Sequence, residues 1–305
     1  MQFMPHERRS MEYLEFVETM RDWVEEALPD QKVTVREVLK NNGIRLQGLT
    51  ITDQICAASP TIYLERFYES YLEQEGIDEI GEKIVEVYEE NRIREELDLD
   101  FINVYETVRE NLYFKAVNRE RNRELLSEVP YKEFLDLALV PYVLIGATPM
   151  GSATAVVRRN MLNLWGVTEE TLLQDTNLNM VKNAAYTLTR IEDIISDMLP
   201  KDENIPCSDE TQMYVLLNPG KNFAAALMSM EHVMEKIAED LNADLIVLPS
   251  SIHEVIILPA HGMTELTKLN EMVKSVNETT VSREEVLSDH AYLYQRGIGY
   301  AGNNN

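Results

Sequence analysis

Two apolar runs near the C-terminal end, Leu245-Ile-Val-Leu248 and Val255-Ile-Ile-Leu258, are separated by the six residues Pro249-Ser-Ser-Ile-His-Glu254. A link this short leaves no room for a crossover helix, so the two runs are predicted to be antiparallel neighbours. The residues before them extend the pattern. Met213-Tyr-Val-Leu-Leu217 reads as a strand, Asn218-Pro-Gly-Lys221 as a turn, 223–227 as a second strand and 231–241 as a helix. The result is a β-β-α-β-β unit, an antiparallel sheet with its helix on one face.

The polar crossing between the runs gathers the most chemically capable side chains of the chain: Ser250, Ser251, His253 and Glu254. A serine nucleophile, an imidazole base and a carboxylate are the parts of a hydrolase, and these four are the candidate catalytic residues. The opposing reading is that serine and histidine in a tight turn bond its backbone. No Gly-x-Ser-x-Gly elbow surrounds the serines. The zinc-protease helix motif fails as well, because the next histidine, His261, stands eight residues after His253 and not four. A looser metal site using His253 and His261 lacks further ligand spacing, and no metal is assigned. Cys56 lies in Gln54-Ile-Cys-Ala-Ala-Ser-Pro60, without the surroundings of a catalytic thiol. Gly146, Gly151 and Gly166 are dispersed and Pro219-Gly220-Lys221 lacks the rest of a phosphate loop, so no cofactor is expected. Asp289-His290 forms a second polar pair, a weak signal by itself.

Toward the N-terminus, Leu14, Val17, Val24 and Leu28 recur at helical spacing over 11–28, with Ser10 as cap and Pro29 past the end. Asn42-Gly43 within 33–51 predicts a hairpin, with a bulge at Gly48 where the apolar phase shifts; Thr34 and Glu37 also match a capping box and Gly43 a helix end, so a short helix is the alternative for the first arm. Leu64, Phe67, Tyr68, Tyr71 and Leu72, then Ile80, Ile84, Val87 and Tyr88 after Gly76, predict an α-hairpin whose aromatic stripe fills a core. A helical stretch over 101–110 leads to Arg119, Arg121 and Arg123, which alternate with Glu120 and Glu124 and read as a solvated face. A buried strand over 134–145, a second strand over 154–158 and a helix capped by Thr168 follow. Residues 199–210, polar with two prolines, read as a linker, 264–276 as a helix, 287–294 as a last element and 297–305 as a frayed tail.

These elements define an α+β protein, helices packed on mainly antiparallel sheets. At 305 residues the chain exceeds one core. The expected domains are 1–110, 111–200 and 201–305, with the last two able to merge. There are 28 Lys and Arg against 53 Asp and Glu, a net charge of −25, which repels phosphate backbones and anionic lipid. Direct nucleic-acid binding and membrane association are therefore not expected. Residues 61–100 alone hold 14 acidic and 4 basic side chains, a face able to meet a basic protein or to imitate nucleic acid. No apolar leader opens the sequence and no run reaches bilayer length. The cysteines Cys56 and Cys207 stand far apart in unlike contexts, so a reducing, cytoplasmic setting is expected.

Five segments, Ser59-Pro-Thr-Ile-Tyr-Leu-Glu-Arg-Phe-Tyr-Glu-Ser-Tyr71, Val129-Pro-Tyr-Lys-Glu-Phe-Leu-Asp-Leu-Ala-Leu139, Leu164-Trp-Gly-Val-Thr-Glu-Glu-Thr-Leu172, 248–260 and Glu284-Glu-Val-Leu-Ser-Asp-His-Ala-Tyr-Leu-Tyr294, together resemble an uncharacterised bacterial domain-of-unknown-function family. The resemblance runs from Asn42-Gly43 to Tyr294 and implies a bacterial, cytoplasmic protein, with no activity or cofactor attached. The sequence thus favours a non-catalytic role with a protein partner. The alternatives are a hydrolase at Ser250, Ser251, His253 and Glu254, and an acidic mimic of nucleic acid.

Overall fold

The computed structural model describes residues 11–52, 61–91, 100–148, 151–198, 212–220, 222–249, 251–260 and 266–301. The chain divides into two compact units, one of residues 1–40, 45–99 and 148–150, the other of 41–44, 100–147 and 151–305. Both have the α+β composition expected, with helices on mainly antiparallel sheets.

In the first unit, helix α1 (Tyr13–Ala27) is followed by strands β1 (Lys32–Leu39), β2 (Arg45–Thr52) and β3 (Thr61–Tyr63) and helices α2 (Glu65–Leu72) and α3 (Ile77–Asn91). Phe16, Val17, Met20 and Val24 form the buried stripe of α1, spaced so that all face the core. Leu14, assigned to that stripe by periodicity, lies on the opposite face and is 65% exposed. Ser10, the expected cap, falls outside the described residues. The Asn42-Gly43 turn forms as predicted, with both residues left-handed at φ 61° and 71°. The predicted bulge does not form. The β1–β2 ladder runs without a slip from Lys32 opposite Thr52 to Leu39 opposite Arg45. Gly48 has a steric role instead: a Cβ there would come within 2.5 Å of Thr61 Cγ2 and 3.1 Å of Val38 Cγ2. The first helix of the α-hairpin begins at Glu65, because Thr61–Tyr63 pairs antiparallel with β2 as a third strand. Leu72 of its apolar stripe stands exposed.

Helices α1 and α3 pack through one close approach. The Trp23 ring lies over Gly81, where a Cβ would sit 2.4 Å from the indole, and Trp23 Nε1 donates to Asp78 Oδ1 at 2.9 Å. Glycine is unfavourable in a helix interior by about 1 kcal/mol relative to alanine, so its presence here is explained by the ring.

The second unit runs through α4 (Tyr105–Val108), β4 (Leu112–Asn118), α5 (Arg123–Glu128), β5 (Lys132–Phe134), β6 (Leu137–Thr148), β7 (Gly151–Val156), α6 (Arg159–Trp165), α7 (Glu169–Lys182), β8 (Thr187–Arg190) and α8 (Ile191–Met198). It closes with β9 (Tyr214–Leu217), α9 (Glu231–Leu241), β10 (Asp244–Leu248), β11 (Val255–Ala260), α10 (Leu266–Thr279), β12 (Tyr292–Gln295) and β13 (Gly299–Tyr300). One sheet has the order β4-β6-β5 with β7 also on β6; the other has the order β13-β12-β10-β11-β9-β8. Strand β10 pairs antiparallel with β11, as the short crossing requires, and with β12 on its other edge. Leu245 and Val247 join the core beneath α9, while Ile246 and Leu248 face Val273 of α10, so helices cover both faces of this sheet.

Three expectations change in this unit. Residues 112–118, which the sequence reading leaves unassigned, form β4. Residues 223–227 are not a strand. Ala224–Ser229 is a buried 3₁₀ turn whose three alanines bring no β-branching, and β9 pairs instead with β8, which precedes it across α8, so the expected β-β-α-β-β unit is replaced by the chain order β8-α8-β9-α9-β10-β11. The frayed tail is also ordered in part: Gly297 and Gly299, at φ 73° and 100°, turn the chain so that β13 pairs with β12, and the Tyr300 hydroxyl donates to Met228 O at 2.8 Å. Thr168 caps α7 as predicted, accepting from Thr171 N–H. The expected linker 199–210 lies outside the described residues.

Gly81→Ala is expected to destabilise the protein by about 1–3 kcal/mol despite its better helix propensity, because the rigid indole must move. Denaturant unfolding of the full chain checks this.

Candidate functional site

The crossing between β10 and β11 is organised by backbone bonds. Ile252 N–H donates to Glu285 O at 2.9 Å, Ser251 bridges to Val286, and His253 N–H donates to Ser251 Oγ at 3.0 Å. The crossing in turn holds the start of the 3₁₀ turn: Ala224 N–H donates to His253 O at 3.2 Å and Ala225 N–H to Ile252 O at 3.4 Å. Of the four candidate residues, Ser250 lies outside the described residues and Glu254 is exposed; His261, Cys56 and Cys207 also lie outside the described residues. Among the described residues no hydrogen bond joins the Ser251 hydroxyl to the His253 ring.

The His253 ring has a different partner. Its Nδ1 accepts the Phe223 N–H at 3.3 Å, and the two rings stack at 5.4 Å with planes 20° apart. A neutral imidazole that accepts at Nδ1 carries its proton on Nε2, here 4.0 Å from Glu285 Oε1. Burial lowers the His253 pKa, aided by Lys115, against the opposing pull of Glu285 and Glu254. Phe223 itself sits at φ 53°, ψ 29°, a left-handed conformation rare for a bulky residue. The adjoining loop is closed by Asn218, whose Oδ1 accepts Asn222 N–H at 3.0 Å and whose Nδ2 donates to Asn222 O at 2.7 Å. His253 therefore props a strained aromatic residue.

A second constellation grows from the two-residue turn between β5 and β6, where left-handed Leu135 presents Asp136. Asp136 accepts from Ser288 Oγ at 3.2 Å and from the Tyr292 hydroxyl, and lies 3.1 Å from His290 Nδ1. Burial first, then the Asp136 charge, pushes the Tyr292 pKa up. His290 is exposed at a cavity of about 590 Å³ that Arg119, Arg121 and Arg123 also line. Each arginine already has a carboxylate: Glu133 at 2.9 Å, Asp289 at 2.8 Å and Glu120 at 2.7 Å respectively. The Asp289-His290 pair was visible in the sequence; its anchor Asp136, more than 150 residues earlier, carried no local signal.

The third feature belongs to the first unit. Opposite its buried stripe, α1 exposes Glu15, Glu18, Asp22, Glu25 and Glu26, and α3 exposes Asp78, Glu79, Glu82, Glu86 and Glu90. The two basic residues of these helices are engaged, Arg21 with Asp22 at 2.6 Å and Lys83 with Glu75. Arg92, Glu95, Glu96 and Asp98 lie outside the described residues.

With this fold and these sites in view, the chain belongs to a family of unknown function, DUF5688, whose model matches residues 13–296. That is the uncharacterised kind of family its motifs resemble. Comparison with curated proteins and with solved structures found no match. No helix among the described residues is long and apolar enough to cross a membrane.

Because the folded-state pKa of His253 is depressed below its ordinary 6.5, the unfolded chain binds the proton more tightly. Stability from this group is complete above pH 6.5 and falls as pH drops toward the folded-state value, where protonation also removes the acceptor for Phe223 N–H. His253→Gln is expected to flatten this part of the curve of unfolding free energy against pH.

Proposed function

We propose that this chain acts by contact and not by bond-making, as a cytoplasmic bacterial protein that binds a basic surface of a protein partner through α1 and α3. The observation that carries this reading is the outward carboxylate row on both helices, which continues into their C-terminal turns at Glu25, Glu26 and Glu90. Acidic side chains at that end oppose the helix dipole, at about 0.3–1 kcal/mol each. A cationic partner relieves that opposition. The competing hydrolase reading needs an imidazole nitrogen facing a serine oxygen, and His253 Nδ1 is engaged by Phe223 N–H. Imitation of nucleic acid is a narrower form of the same reading, favoured by the i, i+3, i+4 recurrence of Glu79, Glu82 and Glu86.

The variant Glu25→Gln/Glu26→Gln/Glu90→Gln is expected to unfold at higher denaturant concentration than wild type in low salt, by about 0.3–1 kcal/mol per site. It is also expected to lose the proteins that wild type retains from a native extract and mass spectrometry identifies. Equal retention by both overturns the assignment. Release of the retained protein by duplex DNA supports the mimic form over a general acidic contact.

A further inference from the structure

Beside the propped Phe223 the second unit holds a small cavity of about 230 Å³, walled by Tyr113, Tyr142, Phe223, Asn183, Asn222 and Ser152 with aliphatic residues between them. In a chain of net charge −25, none of the described residues lining it is charged. Tyr142 is only 8% exposed, yet its hydroxyl has no hydrogen-bond partner among the described residues. Burial pushes its pKa up to about 12, so it is a protonated donor at neutral pH. It is available to a ligand acceptor.

The walls are held by contacts of their own. Tyr142 meets Phe223 edge-on at 5.2 Å, His253 backs the other side of the site by stacking on Phe223, and Asn218 closes the loop that carries Asn222. Left-handed Phe223 is strained backbone at a cavity mouth, where strain usually serves a site.

We infer that this cavity binds a neutral, planar heterocycle of one ring that carries neighbouring hydrogen-bond donors and acceptors. Size sets one limit, since the cavity is smaller than those of drug-sized ligands at roughly 300–1,000 Å³. Charge sets another, since an ion would lose its hydration with no counter-charge among the described residues that line the cavity; Lys115, 5.4 Å from the Phe223 ring, is not one of them. Carboxamides and hydroxyls among aromatic rings supply both halves of an amide-like ring edge, the pairing that Asn makes with a nucleobase.

The test is calorimetry and ligand-observed NMR on the full chain with uracil and nicotinamide, and with their carboxylate counterparts orotate and nicotinate. Saturable binding of a neutral probe is expected, with the carboxylate at least about tenfold weaker. Tyr142→Phe, checked for wild-type thermal unfolding, is expected to weaken that probe about fivefold, and Asn222→Ala similarly. The inference is overturned if neither neutral probe saturates, if the carboxylates bind as well as the neutral probes, or if both variants bind like wild type.

Discussion

The architecture of the second unit depends on β10. Strands on both edges saturate its backbone, and its alternate side chains enter two different hydrophobic clusters. Leu245 and Val247 pack with Met234 and Ile237 of α9 and with the alanines of the 3₁₀ turn; Ile246 and Leu248 pack with Val273 of α10. A strand buried on both faces reads as a continuous apolar run, which is how Leu245-Ile-Val-Leu248 appears. The crossing that follows must then satisfy its own polar groups at the edge of two cores. Ser251 and His253 do so by accepting N–H groups from residues 253 and 223.

Periodicity made the large elements legible. Helix α1, the β1–β2 hairpin, the β6–β7 pair, the Thr168 cap and the β10–β11 hairpin all form close to their expected places, because each is encoded by residues a few positions apart. Departures occur where tertiary packing outweighs local pattern. Gly48 looked like a bulge because glycine interrupts an alternation, but the cause is Thr61 and Val38 on neighbouring strands. Phe223 to Leu227 had a strand-like composition at its ends, yet the crossing captures its N–H groups and curls it into a 3₁₀ turn.

The sites were less legible than the fold, for the same reason. Four polar residues at one crossing announced themselves locally, whereas the ring that His253 contacts lies 30 residues away and the hydroxyl of Tyr142 lies further still. Asp136 and His290 meet across more than half the chain. A single sequence exposes which residues are chemically capable; which of them face one another is decided by strand order.

The indole seated on Gly81 has a mechanical consequence for the charged surface. Two smooth helices could slide along each other by a residue or a full turn, about 5.4 Å, with little change in buried area. A bulky ring lodged in a gap only one residue wide, and tethered by Nε1 to Asp78, acts as a key in a slot and permits one translational setting. The carboxylates of α1 and α3 are thereby spaced like marks on two rulers clamped together, so the pattern they offer is fixed by the interior of the protein.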